Sequence, residues 1–182
     1  MTKHITFLAI LLCTTVRLLA QQQYKPLSDS SSIDFKIKNF GVAVAGSLKG
    51  LKGTIQFDPQ KPAACSFSVT VQTATVNSGI EMRDNHLKKE DYLSVEKYPQ
   101  ISFTSTKVTP STKDGYLFVF GNLTIKDSTK AISFPFQATP NGKGYVFTGS
   151  FTINRKDYGV GGSSISMSDI VNIELKVLAL PE

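Results

Sequence analysis

Residues 66–73 read Ser-Phe-Ser-Val-Thr-Val-Gln-Thr, and this stretch decides the fold class. Its apolar side chains fall on alternate positions, with Ser, Thr and Gln on the others. Successive side chains of a β-strand point to opposite faces, so this alternation predicts a strand with one buried and one solvated face. The same pattern recurs at residues 33–38, 145–153 and 171–177. The sequence therefore predicts an all-β protein.

Short turns join the strand candidates, of which there are eight between residues 33 and 177. Asp114-Gly115 and Asn141-Gly142 are dipeptides typical of β-hairpins. Short connections between neighbouring strands favour an antiparallel up-and-down barrel over a sandwich. In the strand over residues 116–125, the apolar positions change face near Gly121, which predicts a bulge or a sharp bend there.

Residues 80–100 form the one long run without strand alternation, and this run is highly charged. It contains Arg83, Asp84 and His86, and it is followed by renewed alternation from Ile101. We interpret it as a helix that ends before Pro99, because proline cannot continue the backbone hydrogen bonding of a helix. A single charged helix in an all-β chain is predicted to cap one end of the barrel.

The first 20 residues resemble a secretory signal peptide rather than a part of the fold. A short basic start precedes an apolar run over residues 5–12, and Ala20 stands before three glutamines. This layout predicts cleavage after Ala20, and the apolar run is too short to span a bilayer. A lipoprotein acylated at Cys13 is the alternative. We therefore expect a periplasmic or secreted protein with one domain over residues 21–182.

Charge and cysteine content exclude several classes of protein. Removal of residues 1–20 takes away two of the 20 basic residues and none of the 14 acidic ones, so the net charge falls from +6 to +4. The basic residues are dispersed and not interleaved with aromatics, which argues against a nucleic-acid partner. Transient contact with a membrane surface and a homodimer both stay open. Cys65 is then the single cysteine, interpreted as a buried filler, with a reactive thiol as the alternative.

One face of the strand candidates is rich in phenylalanine and is predicted to point inward. Either these side chains fill a core, or they line a cavity that holds one small ligand, since eight-stranded barrels do both. Burial of each methylene is worth about 0.8 kcal/mol, whereas association costs at least ~4 kcal/mol, so a cavity would favour a long hydrocarbon chain. The predicted lining residues are Phe35, Phe57, Phe67, Val69, Phe103, Phe118, Phe120, Phe134, Phe147 and Phe151.

A set of strings in order along the chain resembles the YceI family of lipocalin-like, polyisoprenoid-binding proteins. The most specific are Arg-Asp-Asn-His-Leu at 83–87 and Tyr-Pro-Gln-Ile-Ser-Phe at 98–103. The others lie at 50–59, 121–125, 129–130, 153–159 and 169–176. The resemblance implies an eight-stranded antiparallel lipocalin-like barrel closed by a helix. It also implies a long-chain lipid ligand, such as an isoprenoid quinone, a polyprenyl or a fatty-acyl compound, no catalysis, and a periplasmic or secreted location.

Four polar residues are candidates for contact with the head group of such a lipid at the cavity mouth: Arg83, Asp84, His86 and Tyr92. The alternative for Arg83 and Asp84 is structural, in which they pair or cap the helix and fix it to the barrel. We expect no metal and no cofactor, because zinc sites generally use several His or Cys ligands and His86 has no such companion. His86 is also the one histidine after residue 20, and the sequence contains no Gly-x-Ser-x-Gly elbow. Both observations argue against an enzyme.

A second polar group, Arg155, Asp157 and Tyr158, precedes a glycine-rich stretch. Its two interpretations are a surface turn and a further contact at the cavity mouth.

Overall fold

The computed structural model describes residues 22–182, whose strands form one antiparallel barrel. The signal-peptide prediction for residues 1–20 lies outside this range. One α-helix and three short 3-10 turns (Ser28–Ser30, Pro62–Ala64 and Arg155–Tyr158) accompany the strands. No helix within residues 22–182 is long and apolar enough to cross a membrane. The elements are β1 (Gln23–Pro26), β2 (Ser32–Asn39), β3 (Val42–Gln56), β4 (Ser66–Asn77), α1 (Glu81–Leu87), β5 (Gln100–Pro110), β6 (Leu117–Ile125), β7 (Ser128–Asn141), β8 (Gly144–Asn154) and β9 (Met167–Pro181).

The nine strands occupy eight positions around the barrel, as the alternation predicted. β1 and β2 lie end to end between β3 and β9, and both pair with these two strands. The order then runs from β9 through β8, β7, β6 and β5 to β4, and pairing of β3 with β4 closes the barrel. Every pairing is antiparallel, so neighbours in sequence are mostly neighbours in space.

The strand connections gather at two ends of the barrel, which we name the helix end and the far end. The helix end carries the Phe40-Gly41 turn, residues 80–99, the turn at 126–127 and residues 155–166. The far end carries the connections over residues 57–65, 111–116 and 142–143. Residues 80–99 are named the 80–99 segment below, and residues 159–166 the glycine loop.

The inner face follows the predicted alternation in most strands. In β7, the side chains of Phe134 and Phe136 are buried, whereas the intervening Pro135 is exposed. Pro135 also lies where pairing of β7 with β8 stops, so its missing N–H is not needed in that ladder. In β9, Val177 and Ala179 are buried on the same face as the half-buried Ile173 and Leu175.

The prediction for β6 is wrong. Val119, Leu123 and Ile125 are the buried side chains, whereas Phe118 is half-buried and Phe120 is exposed on the outer surface, with their rings 5.2 Å apart. The inner face of β6 runs unbroken from Leu117 to Ile125, and the register shift falls on the partner β5, between Ser105 and Lys107. Apolar residues occupy both faces of β6, so its periodicity does not identify the inner face.

The predicted helix over residues 80–98 is also wrong in extent. The α-helix covers Glu81–Leu87 only, and residues 88–98 form successive turns held by their own backbone hydrogen bonds. Tyr92 N donates to Lys89 O, and Tyr98 N donates to Ser94 O, at 3.0 and 2.8 Å. Ser94 has a positive φ of 48°, which is incompatible with a continuous right-handed helix. Proline is therefore not what ends this helix.

Cys65 is buried, as predicted for a filler. Its sulfur accepts a hydrogen bond from the Asp58 backbone N–H at 3.3 Å, and burial raises the pKa of the thiol. A raised pKa leaves the thiol protonated at neutral pH, which makes it a poor nucleophile.

Candidate ligand cavity

The barrel encloses a cavity of about 160 Å³ whose wall is hydrocarbon. The wall is built from the inner faces of β2 through β9, and no charged side chain of the described residues contributes to it. An apolar cavity of similar size, about 150 Å³, stays dry and accommodates a benzene molecule in a well-studied protein. The volume therefore suits a segment of a hydrocarbon chain.

Packed aromatic rings close the cavity toward the far end. The Phe57 ring contacts Tyr145 and Phe147 edge to face, at centroid distances of 4.9 and 5.1 Å. Tyr24 packs against Tyr145 at 5.5 Å, and burial raises the pKa of the Tyr24 hydroxyl. Edge-to-face packing of this kind adds to the energy of burial. The short strand β1 therefore contributes a ring to the floor of the cavity.

Toward the helix end, the inner faces of β8 and β9 are only partly covered. Phe147 and Val177 are buried near the floor, whereas Phe151 and Ile173, nearer the helix end of β8 and β9, are half-buried although they point the same way. Ile153, the last inward side chain of β8, is also half-buried and still lines the cavity. Leu123 and Ile125 of β6 also line the cavity at the helix end but are buried, so the cavity opens toward that end on the side of β8 and β9.

Of the ten side chains predicted to line the cavity, six form its wall: Phe67, Val69, Phe103, Phe134, Phe147 and Phe151. Phe57 points inward but belongs to the packed floor, and Phe35 packs on the core, where the missing side chain of Gly46 makes room for its ring. Phe118 and Phe120 lie on the outer surface and are corrections to the predicted site. The predicted lining residues were almost all phenylalanines and omitted the aliphatic share of the wall, which includes Leu51, Val119, Leu123 and Leu175.

Arg83 and Asp84 fix the start of α1 to the end of β4, and Ser78 joins them. Arg83 donates from Nε to Ser78 Oγ at 2.7 Å and from Nη2 to Ser78 O at 2.6 Å. Asp84 Oδ1 accepts hydrogen bonds from the Ser78 backbone N–H and hydroxyl. The hydroxyl hydrogen bond from Ser78 is the main cause that lowers the pKa of the Asp84 carboxyl. The structural interpretation of this pair accounts for these contacts.

His86 and Tyr92 come together on the 80–99 segment, with ring centroids 4.8 Å apart. His86 is exposed, Tyr92 is half-buried, and neither lies on the cavity wall. Contact of these rings with a lipid head group stays a prediction. Within residues 22–182, no group of three or more His, Cys, Asp or Glu side chains could hold a metal ion.

Arg155 is the residue whose role the sequence analysis missed. Its side chain is 2% exposed and lies under the glycine loop. Nη1 donates to the carbonyl oxygens of Val160, Gly161 and Gly162, each at 2.9 Å. Nε donates to Ser168 O, and Nη2 donates to Asp169 Oδ1, both at 3.0 Å. The surface-turn interpretation is therefore wrong for Arg155, and it is also wrong for Tyr158, which is buried.

The 80–99 segment is bound to the barrel and to the glycine loop. Leu87 and Leu93 pack on the barrel core. The Gly161 N–H donates to Asp91 O at 2.7 Å, and Lys126 Nζ donates to the carbonyl oxygens of Glu90 and Gly159 at 3.1 and 2.9 Å. These contacts join three of the four connections at the helix end.

Comparison with known proteins places this arrangement in a family. A family model described as YceI-like domain matches residues 24–179, nearly the whole described chain. A UPF0312 protein of Shewanella baltica is 34% identical over 154 residues, which is 81% of this chain and 80% of that protein.

Two solved structures resemble the barrel. Burkholderia cenocepacia BcnA superposes with a TM-score of 0.80 at 25% identity, covering 84% of this chain and 98% of BcnA. A polyisoprenoid binding domain from Saccharophagus degradans superposes with a TM-score of 0.71 at 14% identity, covering 89% and 100%. At that identity the second likeness shows the fold alone.

Proposed function

The chain belongs to the YceI-like family, and we propose that it carries or sequesters a long-chain apolar lipid in its barrel, without catalysis. The candidate ligands are isoprenoid quinones, polyprenyl compounds and fatty-acyl chains. The fold shared with a protein described as a polyisoprenoid binding domain supports this class of ligand.

The hydrocarbon-lined cavity carries the proposal. A fully packed barrel with no ligand, the alternative from sequence, would bury its inner face evenly, whereas Phe103, Phe151 and Ile173 remain half-buried. A cavity of about 160 Å³ holds a segment of a chain, so the rest of a long ligand would extend toward the helix end. The gain of about 0.8 kcal/mol for each buried methylene favours long chains over short ones.

We place the polar end of the lipid beneath the 80–99 segment, which would then act as the cap of the barrel. Two observations support this placement: the cavity opens toward that end, and Leu87 and Leu93 of the segment pack on the core. The His86 and Tyr92 rings, 4.8 Å apart, are polar groups of the segment that are not engaged by Ser78. Their hydrogen-bonding atoms suit a quinone carbonyl or a carboxylate.

We also place the protein in the periplasm or outside the cell. The basic start, short apolar run and Ala20 of the first 20 residues support this location. A carrier in an aqueous compartment next to a membrane would shield a chain that water cannot dissolve.

Affinity is expected to rise with the length of a saturated fatty acid. Each added methylene should tighten binding about fourfold, because 0.8 kcal/mol corresponds to that ratio, until the cavity is full. Displacement of a fluorescent long-chain probe from delipidated protein measures the series. Matched dicarboxylic acids, which carry a charge at both ends, are the control and should not bind. Equal affinity at every chain length would contradict burial in the barrel.

A further inference from the structure

We propose that the helix end of the barrel inserts into the surface of a lipid bilayer, with Phe40 and Ile165 entering the hydrocarbon. This inference rests on the proposed function, since it assigns the route by which a lipid reaches the cavity. It starts from the distribution of exposed apolar side chains. The large apolar side chains of the described residues that are more than half exposed all belong to connections or strand ends at the helix end: Phe40, Val42, Ile80, Met82 and Ile165.

Phe40 is energetically unfavourable at its position for two reasons. It is 80% exposed, and its φ of +49° lies in the left-handed region, where a bulky side chain is an outlier. Gly41 beside it also has a positive φ, as in the tight two-residue turns that favour Asn-Gly. A phenylalanine there stabilises neither the turn nor the core, so its role lies in what it meets outside the barrel.

The Phe40 turn and the glycine loop form one rim. The Phe40 N–H donates to Ser166 O at 2.8 Å, which places the turn beside the fully exposed Ile165. Val42 continues the inner face of β3 past the point where the interior is covered. Asn77, at the end of β4, pairs with Ser47 and leads to Ile80 and Met82. The rim therefore lies at the end toward which the hydrocarbon cavity opens.

A bilayer fits this rim better than a protein partner does. The exposed apolar side chains project from separate connections around the mouth, and behind them the cavity wall is hydrocarbon. Insertion would make that wall continuous with the acyl chains, so that a lipid passes without crossing water. The flanking charges are of both signs, with Lys38 beside the turn and Glu81 beside Met82. The expected attraction is therefore hydrophobic. The first described residue, Gln22, lies at the far end, where its carbonyl accepts from Phe57 N–H.

Sedimentation with phosphatidylcholine vesicles tests the insertion. The native chain should bind, and Phe40→Asn should lower partitioning about tenfold, since it removes an aromatic side chain that the bilayer would bury. Asn tolerates positive φ, so this variant should fold at least as stably as the native chain. Leu180→Asn, an exposed apolar position at the far end, is the matched control and should change partitioning less than about twofold.

Fluorescence gives a second, independent measurement because the chain has no tryptophan. The emission of a Phe40→Trp variant should shift to shorter wavelength when vesicles are added, whereas that of Leu180→Trp should not. An unshifted Phe40→Trp signal, or equal vesicle binding by the native chain and Phe40→Asn, overturns the insertion. The insertion is also overturned if ultracentrifugation shows that Phe40→Asn dissociates a dimer while vesicle binding is unchanged.

Uptake of a soluble fluorescent fatty acid without vesicles separates the two proposals. If the protein takes up the fatty acid, and vesicle binding is unchanged by Phe40→Asn, the lipid-binding function stands and the insertion is overturned. Phe40-dependent vesicle binding without uptake supports the insertion and overturns the lipid-binding function.

Discussion

A Phe147→Asp variant is expected to lose the fold, and with it all ligand binding. Phe147 lies on β8, is 6% exposed, lines the cavity and packs edge to face on Phe57 and Phe67, at centroid distances of 5.1 and 5.7 Å. Truncation of a buried phenylalanine costs about 3–5 kcal/mol, and an unpaired carboxylate in a hydrocarbon wall adds to that cost. Domains of this size are stable by only about 5–15 kcal/mol. Circular dichroism and urea unfolding measure the effect.

Phe118→Asp is the control for this experiment. Both positions are phenylalanines on strands of the same barrel, but Phe118 lies on the outer face, next to Phe120. Its replacement should cost about 1 kcal/mol, the value of one aromatic pair, and should leave lipid uptake unchanged. Equal destabilisation by the two variants would show that the inner and outer faces of β6 and β8 are assigned incorrectly.

An Arg155→Ala variant is expected to lose about 3–5 kcal/mol of stability and to release the glycine loop. The guanidinium donates to four carbonyl oxygens and to Asp169, and hydrogen bonds to a charged group contribute about 1.5–3 kcal/mol each, though not additively. Without it, the Val160, Gly161 and Gly162 carbonyl oxygens lose their shared donor. Urea unfolding gives the stability, and amide hydrogen exchange over residues 159–169 reports the loop.

Lys156→Ala is the matched control, because Lys156 also binds Asp169, at 2.9 Å, but is exposed. An exposed ion pair of this kind is worth about 0–1 kcal/mol. Arg155→Lys should not restore the loop, since a single ammonium group cannot reach all the carbonyl oxygens that lie between Val160 and Ser168. Unchanged exchange of the glycine loop in Arg155→Ala would contradict the role assigned to the guanidinium.

The barrel could be predicted where one face of a strand is apolar and the other polar. Residues 66–73 and β9 meet this condition, and their inner faces are as alternation predicts. β6 does not meet it, because Leu117 and Val119 alternate with Phe118 and Phe120. The larger phenylalanine side chains were predicted to point inward. The aliphatic side chains pack inside instead, because the rings of β5, β7 and β8 already occupy the space. Tertiary packing decides the face of such a strand.

The polar site was harder to predict, because its contacts depend on distant backbone. The hydrogen bonds of Arg83 and Asp84 with Ser78 are local, within six residues, so their structural interpretation could be reached from sequence. Arg155 satisfies carbonyl oxygens of a glycine loop, and nothing in the spacing of charges indicates that the arginine is buried. A signal was present in the cluster of Gly159, Gly161 and Gly162, whose bare backbone needs a donor. The helix in residues 80–98 was predicted, but its extent was wrong because charge alone does not determine the length of a helix.

Organic-solvent extraction of the purified, folded protein followed by mass spectrometry tests the central claim most directly. The claim is that the barrel holds a long-chain apolar lipid, as supported by its hydrocarbon wall. We predict about one long-chain lipid for each protein molecule, absent from a parallel extract of the Phe147→Asp variant. The absence of any such lipid, together with failure of the delipidated protein to take up prenyl or acyl probes, would contradict the claim.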